Sequence, residues 1–160
     1  MDAFVDEVTR LPGHSVAIVA LRLLGAGVVC ALIGLERELG ERAAGLRTNM
    51  LVGLAAATFA MLSEGVIAQS AQSDIVRADP TRLIEAVTSG VAFLAAGLII
   101  VTKGEVKGLT TGATIWLSAA VGLAIGLGQW LIGVFACLAG LFVLLVIRYL
   151  EQKLGTKGPR

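Results

Sequence analysis

Five runs of mostly apolar residues, at 16–35, 48–68, 80–101, 110–127 and 130–149, dominate this chain. Each is close to the roughly 20 residues that cross a bilayer as a helix. No water satisfies backbone groups in the hydrocarbon core, so an apolar run of that length is confined to helical structure. Only 16% of the 160 residues are charged and 56% are hydrophobic, with mean hydropathy +0.86. A soluble domain of this size would carry more charge. The predicted fold is therefore all-α: a polytopic membrane bundle of about five transmembrane helices. Residues 1–152 form the transmembrane domain and 153–160 a short tail. The opening "MDAFVDEVTR" is acidic and polar, without a basic n-region, so no removable signal peptide is expected. The net charge of +1 offers no basic surface for nucleic acid. The first partner is the lipid bilayer.

Lysine and arginine in the connections set orientation. The N-terminal segment and the second and fourth connections hold Arg10, Arg77 and Arg82. The first and third connections and the tail hold Arg37, Arg42, Arg47, Lys103, Lys107, Arg148, Lys153, Lys157 and Arg160. This asymmetry predicts the N-terminus outside and the C-terminus in the cytoplasm. The connection "GLGQW" carries no charge and reads as a tight turn, making the last two spans a hairpin.

Small residues recur four apart on single helix faces: Gly27 with Ala31, Gly53 with Ala57, Gly122 with Gly126, and Ala136 with Gly140. Such spacing lets membrane helices approach closely. Packing within the chain is one reading and a subunit interface the other. A five-helix chain buries little interior, so a homodimer is expected, with the Gly122/Gly126 face as a candidate contact. Cys30 and Cys137 lie mid-span and read as small apolar packing.

Several charges exceed what orientation requires. Arg22 lies inside the first span, where a central charge costs about 2.5–3.5 kcal/mol. Arg22, Ala26, Val29, Ile33 and Glu36 form one helical stripe, so Arg22 and Glu36 share a face turned into the bundle. Glu64 ends the second span on the outer side. "ADPTRLIEA" opens the third with Asp79, Arg82 and Glu85, and its Asp-Pro start is also a good helix cap. The predicted outer polar cluster is Arg22, Glu64, Asp79, Arg82 and Glu85.

On the inner side, Glu36 and Glu38 stand at the negative end of the first helix and need compensation from a base such as Arg37, Arg42 or Arg47. "RTNM" and "GLTTGAT" open the second and fourth spans with Thr48, Asn49, Thr110 and Thr111, which serve either as helix caps or, with arginine, as an anion site. Glu36 and Glu38 could alternatively hold Mg²⁺, which needs few protein oxygens; no other cofactor is indicated. The expected inner polar site is Glu36, Arg37, Glu38, Arg47, Thr48, Asn49, Thr110 and Thr111, with Glu36, Arg37, Arg47, Asn49 and Thr111 converging. No catalytic residues are identified: His14, the only histidine, reads as solvated surface, and no nucleophile has a base beside it.

Three blocks, "ALIGLERELGERAAGLRTNMLVGLAAATFAML" (31–62), "DPTRLIEAVTSGVAFLAAGLII" (79–100) and "VKGLTTGATIWLSAAVGLAIGLG" (106–128), resemble the membrane domain of the MgtC/SapB family. Its sequence blocks fall here on residues 34–38, 45–48, 79–82 and 108–116, while "FLAAG" replaces the usual "FLGAG". The resemblance implies a multi-pass bacterial inner-membrane protein concerned with magnesium homeostasis. Virulence-type members support growth under Mg²⁺ limitation and restrain the F-type ATP synthase. It also implies the membrane domain alone, without the cytoplasmic ACT-type domain of regulatory members. The expected function is non-enzymatic: action on membrane-protein partners, such as a membrane subunit of the ATP synthase or another inner-membrane protein, or on ion balance. The alternative is a small transporter or channel for Mg²⁺ or a small anion.

Overall fold

A computed structural model of the chain describes residues 14–70, 81–102 and 105–154. It contains five helices, α1 (Val16–Leu39), α2 (Leu46–Ser70), α3 (Thr81–Leu98), α4 (Leu109–Gly126) and α5 (Trp130–Leu154). All five are long and apolar enough to cross a membrane. They run alternately up and down, so one end of the bundle carries Arg22 and the other Glu36.

Local chemistry sets the ends. Ser15 caps α1 by accepting from Ile18 N at 3.4 Å. Gly34 lets α2 begin against α1, because a Cβ there would stand 2.7 Å from Leu46 Cα. The short link between them passes through left-handed backbone at Glu41 (φ 52°) and Ala44 (φ 57°). Gly128 (φ 74°) forms the predicted tight turn from α4 to α5.

Three spans end well away from expectation, the first because α1 runs on to Leu39. A small antiparallel hairpin, β1 (Ile100–Thr102) with β2 (Glu105–Lys107), pairs Val101 with Val106 between α3 and α4. The β-branched run at its start suits extended backbone and ends α3 early. At the other extreme α5 continues to Leu154, because Leu, Glu, Gln and Lys sustain a helix after the apolar run has ended.

α4 is the central helix and packs against all four others. Ala26, Cys30 and Ile33 of α1 meet Ala57 of α2, Val121 and Ile125 of α4 and Cys137 of α5 in one core. A second core joins Ala56 of α2, Val91 of α3, and Ile115 and Ala119 of α4. Lipid tails are as apolar as these side chains, so close van der Waals packing and buried polar contacts hold the helices together.

Candidate functional site

At the Glu36 end, neighbouring residues of α1 turn toward different helices. Arg37 is 5% exposed, and its Nη2 donates to Thr111 Oγ1 in the first turn of α4 at 2.7 Å. Its Nε is buried without a partner. Glu36 faces α5, where its Oε1 lies 3.5 Å from Arg148 Nη1; its Oε2 is buried and unpartnered. Glu38 reaches across the link, and its Oε2 accepts from Leu46 N at 3.0 Å. Gly45 makes that possible, since any Cβ there would overlap the Glu38 carboxylate.

Asn49 is fully buried on α2. Its Nδ2 donates to the carbonyls of Ala44 (2.7 Å) and Gly45 (2.9 Å), and its Oδ1 accepts from Ser118 Oγ of α4 at 2.8 Å. Cys30 Sγ then contacts Ser118 O at 3.3 Å, joining α1 to the same polar point. Thr114 bonds back to Thr111 O at 2.8 Å.

The structure thus brings Arg37 to Thr111 and Asn49 to Ser118, while Arg47, Thr48 and Thr110 are exposed. The expected five-residue convergence does not form around Arg47. Arg47 lies two residues from Asn49, roughly 200° around the helix, so burying Asn49 turns Arg47 outward. Glu36 and Glu38 engage different elements rather than forming a shared carboxylate pair for Mg²⁺. Among the described residues no group of three or more His, Cys, Asp or Glu side chains could hold a metal ion.

At the other end, Arg22 Nη1 donates to Glu64 Oε2 of α2 and to Gly126 O at the end of α4, both at 2.7 Å. One guanidinium therefore ties three helices and places positive charge at the negative end of α4. Arg82 and Glu85 are exposed on α3, which packs chiefly on α4, and Asp79 lies outside the described residues. His14 is not solvated surface: its side chain is 14% exposed and its Nε2 lies 3.1 Å from Glu64 Oε2.

The glycine pairs are spent inside the chain. Gly53 sits between Cys30 and the backbone at Gly122, and a Cβ on Gly126 would stand 2.6 Å from Ala57 Cα. The Gly122/Gly126 face is therefore the α2–α4 contact and is not available to a second subunit. Gly27 is in ordinary contact with Leu54, and Gly140 faces the Leu117 side chain.

Sequence reasoning missed Ser118 and the partnership of Arg148. Thr111, Thr114 and Ser118 fall at i, i+3 and i+7, a polar stripe on an otherwise apolar helix that would have marked Ser118. Arg148, the lone arginine ending the last apolar run, reads in the sequence only as an orientation charge.

The MgtC family model matches residues 23–153. The Escherichia coli (strain K12) protein named "Putative magnesium transporter YhiD" is 39% identical over 137 residues, 86% of this chain and 64% of its own length. Protein MgtC of Brucella abortus (strain 2308) is 45% identical over 106 residues, 66% of this chain and 41% of its own. Protein MgtC of Salmonella typhimurium (strain LT2) is 38% identical over 134 residues, 84% and 54% respectively. The chain thus spans 41–64% of the lengths of these relatives. No solved structure matches the chain.

Proposed function

This chain belongs to the MgtC family, and on that premise we propose that it is a non-enzymatic protein of the bacterial inner membrane that acts through its helix faces on other membrane proteins, or on ion balance, when Mg²⁺ is scarce. The carrying observation is the closed centre of the bundle. α2 and α4 meet backbone to backbone at Gly53 and Gly122, with Ala57 and Gly126 one turn further on. Polar side chains reach from the Glu36 end as far as Ser118 in the middle of α4, and close packing around Val121, Gly122 and Ile125 separates them from Arg22. Such an interior supports a rigid scaffold rather than a conduit through one chain.

The outer faces supply the contact area. Phe93 and Leu94 of α3 and Leu131, Phe135 and Phe142 of α5 are exposed, and nothing lies within 4 Å of the Cβ positions of Gly90 and Gly97. The proposed occupants are a second copy of the chain and a partner such as a membrane subunit of the F-type ATP synthase. The proposed orientation has the Glu36 end in the cytoplasm.

Cysteines introduced at Gly90 and Gly97 and crosslinked in native membranes test this reading. A crosslinked homodimer, or a recovered membrane partner, is expected. A lone monomer with no crosslinked product at either position overturns it.

The name carried by the Escherichia coli relative favours a second reading, transport of Mg²⁺. Proteoliposome flux with Glu36→Gln and Arg22→Ala variants separates the two. Saturable Mg²⁺ flux abolished by either substitution supports transport; no flux, or flux unchanged by both, removes it.

A further inference from the structure

The first turns of α2 and α4 are treated in opposite ways. Every helix start leaves backbone N–H groups without intrahelical partners and carries partial positive charge. α2 receives a carboxylate there, from Glu38 to Leu46 N. α4 follows Gly108, whose position provides no side-chain cap. What packs against this turn is a cation, the guanidinium of Arg37.

Among the described residues no carboxylate forms a direct ion pair with this guanidinium; the nearest negative charge is that of Glu36, the residue before it in the chain. Arg37 lies in a membrane-spanning helix and is 5% exposed. Glu36 turns to Arg148 and Glu38 to α2. Its Nε is buried and unbonded. Thr111 Oγ1 accepts from Arg37, which leaves the hydroxyl hydrogen free to donate. Burying an unpaired cation beside a helix N-terminus is costly by both desolvation and repulsion.

The geometry points to an oxyanion-binding site of phosphate type, held by Arg37, the Thr111 hydroxyl and the backbone N–H groups opening α4. A forked guanidinium and amides approaching from another direction suit an anion with several oxygens. Leu109 and Thr110 of the same turn are exposed. Free phosphate and a phospholipid headgroup share this chemistry. The site does not depend on the proposed partner contacts, and its loss leaves that reading standing.

The test uses the full chain in two arms. Protein in phosphatidylcholine nanodiscs is titrated with radiolabelled inorganic phosphate by equilibrium dialysis. Protein extracted from bilayers containing phosphatidylglycerol is examined by native mass spectrometry for retained lipid. One saturable phosphate per chain identifies a free-ion site; one retained phosphatidylglycerol identifies a headgroup site. In either arm Arg37→Gln is expected to weaken binding by about tenfold or more and Thr111→Val by several-fold. Lys153→Gln, an exposed cation at the same end, is expected to bind as the parent does. If Arg37→Gln does not fold, Thr111→Val decides. No saturable binding in either arm, or binding unchanged in both site variants that fold, overturns the assignment.

Discussion

Gly122 and Gly53 touch backbone to backbone: a Cβ built on Gly122 would stand 2.7 Å from Gly53 Cα and strike the Gly53 carbonyl oxygen. Cys30 of α1 closes on the same place, where a Cβ on Gly53 would strike its Sγ. Gly122→Ala is expected to destabilise the protein by about 1–3 kcal/mol through overpacking. Gly90→Ala on α3, with nothing within 4 Å of the new methyl, is expected to be neutral or stabilising by up to about 1 kcal/mol through helix propensity. Thermal unfolding of both variants in one detergent checks the pair. Equal melting temperatures would show that the central contact is loose.

Arg22 and Glu64 form the second tie. Their side chains are 15% and 30% exposed, so the pair is partly screened. Replacing Arg22 with Leu is expected to cost about 1–3 kcal/mol. Replacing Glu64 with Gln is expected to cost less, since Arg22 keeps the Gly126 carbonyl. A double-mutant cycle measures the coupling. Glu64→Gln proving the more damaging substitution would contradict the role of Arg22 at the end of α4.

Asn49 satisfies three groups at once: the carbonyls of Ala44 and Gly45 and the hydroxyl of Ser118. Asn49→Ala is expected to cost about 1–3 kcal/mol, because the buried Ser118 hydroxyl and the half-buried Ala44 carbonyl lose their bonds together while Gly45 O keeps the Asn49 backbone N–H, whereas Ser118→Ala is expected to cost about 1 kcal/mol. Ala44 occupies left-handed backbone, and Asn49 holds its carbonyl. Faster proteolysis of the 40–45 link in Asn49→Ala than in Ser118→Ala would report that hold directly.

Cys30 and Cys137 are both buried, with thiols directed at Ser118 O and Val29 O. Both are expected to resist maleimide in the folded protein and to react on unfolding. Labelling of either at the rate of an exposed thiol under native conditions would mean that the core opens.

The five spans were legible in the sequence because bilayer thickness acts on each segment separately, and a run of about 20 apolar residues has one solution whatever its neighbours do. The conflict at Arg22 was legible for the same reason: a charge within an apolar run declares its own cost. Glu64 could be named among its candidate partners with Asp79 and Glu85, since opposite charge at the same end of the bundle is a short search, but the structure made the choice. What the tertiary structure decided was the rotation of each helix. Whether Asn49 or Arg47 turned inward depended on how α4 packed against α2, and that depended on glycine contacts matched across two segments about 70 residues apart in the chain. Pairings such as Arg37 with Thr111, Glu36 with Arg148 and Asn49 with Ser118 follow from those rotations. A linear sequence reveals which residues are small or charged, but a helix face acquires its partner only when every other helix has taken its place.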